Sequence, residues 1–98
     1  MFCKITKSKV EAHNVKQVEQ WFKEKWGPLI SGQPGFIRYY YVLKSDGEFA
    51  VIMLWETEEN VQSWTDNPQH QALVPELKSL LVSPLMMDIY KVIDSGQR

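Results

Sequence analysis

The sequence predicts an α+β fold, a four-stranded antiparallel sheet with helices on one face. Three observations predict it. Seven apolar residues run unbroken from Phe49 to Trp55. In a strand, Phe49, Val51, Met53 and Trp55 point one way and Ala50, Ile52 and Leu54 the other, so neither face is polar. The turn sequence Ser45-Asp46-Gly47 joins this run to an aromatic strand before it, which makes the two an antiparallel hairpin. Helical spacing appears on both sides of the hairpin, and further strand-like segments lie at the two ends.

The elements follow in order. Phe2 to Val10 reads as a strand, with Cys3 and Ile5 on one face and Lys4, Lys7 and Lys9 thinning its hydrophobicity. Asn14 is the expected N-cap of the first helix, with Gln17 three residues on. Val15, Val18, Phe22, Trp26 and Leu29 form its apolar stripe, and Gly27-Pro28 is expected to end or bend it near Trp26. Ser31 to Gly35 is a loop. Phe36 to Leu43 is a strand by its aromatic and β-branched content. It places Arg38, Tyr40 and Val42 on one face and Ile37, Tyr39 and Tyr41 on the other.

After the apolar strand, Thr57 caps a second helix whose first turn holds Glu58 and Glu59, with Val61 and Trp64 on its inner side. Asn67-Pro68 reads as another cap and first turn. Pro75 then implies either a short helical turn over 68–73 with a new helix starting at Pro75, or one helix kinked there. Leu85 to Val92 is the last strand, and Asp94 to Arg98 a loose tail. The order β-α-β-β-α-(α)-β, with right-handed crossovers, is a ferredoxin-like sandwich. The chain is read as a single domain over residues 1–98, its core spanning about 2–92.

The apolar strand demands cover on both faces, and two or three helices cover only one. Leaving three or four large side chains bare forgoes roughly 1.5–3 kcal/mol each, a total that rivals the stability of a small domain. The expected cover is a second copy of the sheet, giving a homodimer through sheet faces. A carboxylate at Val51 or Met53 is expected to dissociate or unfold it.

Composition narrows the function. A net charge of −1 argues against nucleic acid and against an anionic membrane as partners. A single cysteine, Cys3, allows no internal disulfide and no cysteine-based metal site. Lysines occupy the N-terminal positions where a signal peptide has its apolar stretch, so a cytoplasmic protein is expected.

Pro34-Gly35-Phe36, Trp55-Glu56-Thr57, Trp64 and Asn67-Pro68-Gln69-His70-Gln71-Ala72 occur in this order. The set resembles the antibiotic biosynthesis monooxygenase domain, a dimeric α+β barrel family, over about residues 2–92. The resemblance implies a pocket in each protomer, between the helices and the sheet or within the barrel. It also implies one of three functions: cofactor-free oxygenation of an aromatic or quinol-like substrate by O2, haem binding or degradation, or ligand binding without catalysis. The haem-degrading branch is similar at Trp64, but Val74 stands where that branch has a histidine, and no Asn precedes Asn14. The cofactor-free branch is similar at Trp55, with Val51 and Val61 in place of its Asn and Tyr.

Among individual residues, His70 follows the Asn67-Pro68 cap. A helix N-terminus disfavours imidazolium, so a neutral His70 is the candidate base; the alternative is a histidine bonded to the backbone. Trp64 and Trp55 are candidate walls for an aromatic ligand, or plain core. Arg38 and Tyr40 are candidates for holding a substrate anion, or belong to an interface. Together these residues read as an oxygenase for a small aromatic molecule, with His70 as base, no cofactor, and Trp64, Trp55, Arg38 and Tyr40 binding substrate.

Overall fold

The computed structural model describes residues 1–98. Four strands, β1 (Phe2–Lys9), β2 (Phe36–Leu43), β3 (Glu48–Trp55) and β4 (Met86–Lys91), form one antiparallel sheet in the order β2-β3-β1-β4. The apolar run lies in β3, next to the β1 centre strand, where both of its edges are paired. The hairpin closes at Gly47, whose φ of +94° only glycine adopts freely, with the Asp46 carboxylate accepting from the Glu48 N–H at 2.9 Å.

Burial along β3 alternates without a break. Phe49, Val51, Met53 and Trp55 are buried under the helices, whereas Ala50, Ile52 and Leu54 are half-buried on the outer face. Registers carry this alternation across the sheet. Arg38, Leu54, Cys3 and Tyr90 form one outer row; Tyr40, Ile52, Ile5 and Asp88 the next; Val42, Ala50, Lys7 and Met86 the third. No helix covers this face. Val51 and Met53 therefore belong to the helix-covered core, so a carboxylate there tests folding, and Ile52 and Leu54 are the positions that test association.

The first helix differs from expectation at its N-terminal end. The side chain of Asn14 does not cap it; its amide donates instead to the Leu80 carbonyl at 3.4 Å. Of the two alternatives at Gly27-Pro28, an end or a bend, the helix does not end at Trp26. An α-helical stretch, Val15–Trp21, passes through a π turn, Phe22–Trp26, into a second α-helical stretch, Gly27–Ser31. The Gly27 N–H bonds five residues back, to Phe22. This wider turn lets the chain pass Pro28, which has no N–H to give and needs room for its ring. Gly27 itself lies against β2: a Cβ there would come within 2.6 Å of the Tyr39 hydroxyl and 2.8 Å of the Phe22 carbonyl.

The second helix, Glu58–Asp66, is capped by Thr57, whose hydroxyl accepts from the Asn60 N–H at 3.1 Å. The third, Pro68–Lys78, is capped by Asn67 and keeps Pro75 inside one continuous element. In β2, a bulge at Ile37 sets Phe36 opposite Trp55 and Arg38 opposite Leu54. Ile37 is thereby exposed rather than sharing the inner face with Tyr39 and Tyr41. The core is aromatic: Trp26 meets Tyr39 at 5.0 Å and Trp64 at 5.8 Å edge to face, and Phe22 stacks on Tyr41 at 4.7 Å. No helix is long and apolar enough to cross a membrane.

Candidate functional site

A cavity of about 580 Å³ lies between the inner face of the sheet and the helices, a size that suits a small organic ligand. Val51 and Met53 of β3 and Lys4 and Thr6 of β1 contribute from the sheet. Trp21 and Trp26 contribute from the first helix, Trp64 and Thr65 from the second, His70 and Val74 from the third. Most of its wall is hydrophobic, and no Asp or Glu is among its lining residues.

The sharp turn at Asn67 brings His70 back onto Trp64. Asn67 Oδ1 accepts from the His70 backbone N–H at 3.0 Å, starting the third helix. The imidazole then stacks on the indole of Trp64, centroids 4.0 Å apart and planes 16° from parallel. Nδ1 lies 3.0 Å from the Trp64 carbonyl oxygen. A carbonyl can only accept, so Nδ1 carries the proton and Nε2 of the neutral ring holds the free lone pair. Burial lowers the His70 pKa from 6.5; the bond to the Trp64 carbonyl opposes this and the charge of Lys4 adds to it. At neutral pH the ring is uncharged and Nε2 is a base.

Lys4 is the second polar feature, and the sequence reading gave it no role. It is buried on the inner phase of β1, 4% exposed. Its Nζ donates to Thr65 Oγ1 at 3.2 Å, and that hydroxyl donates to the Val61 carbonyl at 3.0 Å. Lys4 forms no ion pair; the salt bridges of the protein involve other lysines and His13. Burial lowers its pKa from 10.5. The available sequence signal was phase: Lys4 shares its face of β1 with Phe2, Thr6 and Ser8, and register sets it opposite Met53 of the core strand.

The profile of the antibiotic biosynthesis monooxygenase family matches residues 1–76. The chain belongs to this family. No curated protein sequence matches it. Among solved structures, the monooxygenase ActVA-Orf6 of Streptomyces coelicolor, in complex with nanaomycin D, superposes with a TM-score of 0.86 at 19% identity, over 99% of this chain and 91% of that one. SnoaB, a cofactor-independent oxygenase from Streptomyces nogalater, gives 0.83 at 14% identity, over 96% and 94%. A conserved protein from Methanosarcina mazei Go1 gives 0.81 at 15% identity, over 92% and 90%. At these identities the likeness establishes a shared fold.

In this member of the antibiotic biosynthesis monooxygenase family, the five residues singled out from sequence separate into three places. Trp64 and His70 line the cavity together. Trp55 is fully buried beside it, between Phe36 at 5.4 Å and Trp64 at 6.1 Å, and supports the Trp64 wall from behind. Arg38 and Tyr40 lie on the outer face of the sheet, joined by a 3.3 Å hydrogen bond, with the sheet between them and the cavity of their own protomer. Alternation along β2 separates them: the residues of that strand facing the helices are Phe36, Tyr39 and Tyr41, which pack into the core. Cys3, also on the outer face, is a free thiol whose pKa is raised by burial.

Proposed function

We propose that the protein is a cofactor-free oxygenase that converts a phenolic or quinol-like aromatic substrate to a quinone with O2. One observation carries this reading: an uncharged His70, its Nδ1 proton held by the Trp64 carbonyl, belongs to the wall of a mostly apolar cavity. Nε2 would take the phenolic proton, producing an electron-rich aryloxide whose charge is shared with the ring carbons. In the mostly apolar cavity, that aryloxide reacts with O2 at the ring carbon to form a peroxide, to which the His70 imidazolium returns the proton. Loss of water from the peroxide leaves the quinone. For a monohydric phenol with a free para position, one phenol and one O2 give one quinone and one water, so the substrate supplies all four electrons. The reading requires no resident cofactor.

The haem alternative has less support. Val74 lines the cavity at the position where the resembled haem-degrading branch places its histidine, and His70 is the cavity's only imidazole. We propose further that a second copy covers the outer sheet face, where Ile5, Ile52, Leu54, Val42 and Tyr40 form a continuous apolar surface. Arg38 and Tyr40 would then belong to that interface.

Oxygen uptake with a panel of polycyclic phenols and quinols tests the oxygenase. Uptake with quinone formation in a one-to-one ratio is expected, and it should collapse in His70→Asn. No uptake with any member, alongside measurable binding, would leave a ligand-binding protein without catalysis. A Soret band on titration with haemin, lost in His70→Ala, would replace the oxygenase reading with the haem one.

A further inference from the structure

We propose that Lys4 makes this cavity an anion-selective site, and that its ligand is an aromatic compound bearing a carboxylate in addition to its phenolic hydroxyl. The location of the ligand rests on the reading above; the charge requirement comes from the residues themselves. Lys4 is inside the protein with one partner, the Thr65 hydroxyl at 3.2 Å. That hydroxyl has already given its own hydrogen to Val61, so the lysine is the donor. An ammonium has three N–H groups, and the protein satisfies one.

The rest of the cavity offers no countercharge. None of its lining residues is Asp or Glu, and Lys78, at the exposed end of the third helix, adds another positive group to its wall. Two further donors are idle. The indole N–H groups of Trp64 and Trp21 are buried without a partner, and both residues line the cavity. The unmatched polar atoms of these buried residues are therefore all donors. His70 Nε2, a free acceptor, is the atom that would receive the phenolic proton. A ligand that complements this arrangement brings acceptors and a negative charge of its own. A neutral phenol brings no charge until it has reacted. A carboxylate supplies both from the outset and compensates a buried ammonium that otherwise has no countercharge.

The test is a pair of near-isosteric ligands, 1-hydroxy-2-naphthoate and 1-hydroxy-2-naphthamide, titrated calorimetrically into the full chain at neutral pH. The acid should bind at least about tenfold more tightly than the amide. Lys4→Met should abolish that preference while leaving the amide within about threefold of its parent affinity. Lys4→Arg should retain the preference, and thermal melts confirm that both variants are folded. Equal affinities in the parent, a preference that survives Lys4→Met, or no binding of either compound would overturn the proposal. Oxygen uptake is scored separately. Acid preference without uptake would overturn the oxygenase reading alone, and uptake from neutral naphthols with no acid preference would overturn the anion site alone.

Discussion

His70 lies flat against Trp64 and is also bonded to it, with rings 4.0 Å apart and Nδ1 3.0 Å from the Trp64 carbonyl. The stacking fixes the plane of the imidazole, and the hydrogen bond fixes its tautomer. The two contacts together leave Nε2 as the one free ring nitrogen.

His70→Asn tests the base. The Asn amide can place an N–H near the position of Nδ1 and keep the Trp64 carbonyl satisfied, but it has no basic nitrogen. Oxygen uptake should fall at least about 100-fold, the usual contribution of a positioned base. Ligand affinity should change much less. A variant with parental turnover would remove His70 from the chemistry.

The pH dependence of stability has a definite sign. Burial holds the folded-state pKa of His70 below its ordinary 6.5, so the unfolded chain takes up this proton first as pH falls. The His70 contribution is complete above pH 6.5 and is lost as pH drops through the folded-state value. Urea unfolding at about pH 7.5 and about pH 5 should show this loss, and His70→Asn should reduce it. An identical pH slope in the variant would show that the imidazole is not buried as described.

Lys4→Met should raise stability. It replaces an unpaired buried ammonium with an apolar side chain of similar length. A gain of about 1 kcal/mol would lift Tm by about 4–8 °C in a domain of this size. A lower Tm would show that the Thr65 bond outweighs the desolvation of Lys4.

The two faces of β3 should respond differently to charge. Val51→Asp places a carboxylate in the buried core and should unfold the chain, at a cost of several kcal/mol. Ile52→Asp places it on the outer face and should leave a folded monomer in sedimentation. A dimer that persists in Ile52→Asp would exclude the outer face as the interface.

Gly27→Ala should destabilise by about 1–3 kcal/mol. The new methyl meets the Tyr39 hydroxyl and the Phe22 carbonyl. The carbonyl belongs to the π turn and cannot swing aside as a side chain would. A melting curve unchanged from the parent would show that the helix can move away from β2.

Much of the fold was legible because its signals are local. The unbroken run Phe49–Trp55 marked a strand with two apolar faces, and Ser45-Asp46-Gly47 marked the hairpin. The Asn67-Pro68 cap brought His70 back towards Trp64, and the two do share a cavity. What stayed open lies where a distant contact decides the outcome. Gly27-Pro28 is compatible with either a helix end or a bend; the chain stays helical through it by way of a π turn, with Trp26 packed on Tyr39 and Trp64. Chemistry alone leaves Arg38 and Tyr40 open between a substrate anion and an interface, and strand alternation places them on the opposite side of the sheet from His70. Lys4 escaped notice for the converse reason. A lysine in a thinly hydrophobic strand looks solvated until the register sets it opposite Met53.

The cavity floor and the outer face are the two sides of a single strand. Val51 and Met53 look into the cavity, and Ala50, Ile52 and Leu54 look out from between them. Only one thickness of backbone separates a bound ligand from whatever occupies the far side of the sheet. A ligand that shifts β3 therefore shifts both surfaces, and the affinity of each for its occupant becomes linked to the other. By reciprocity, any tightening of self-association on filling the cavity is matched by an equal tightening of ligand binding on self-association. Apparent ligand affinity would then vary with protein concentration.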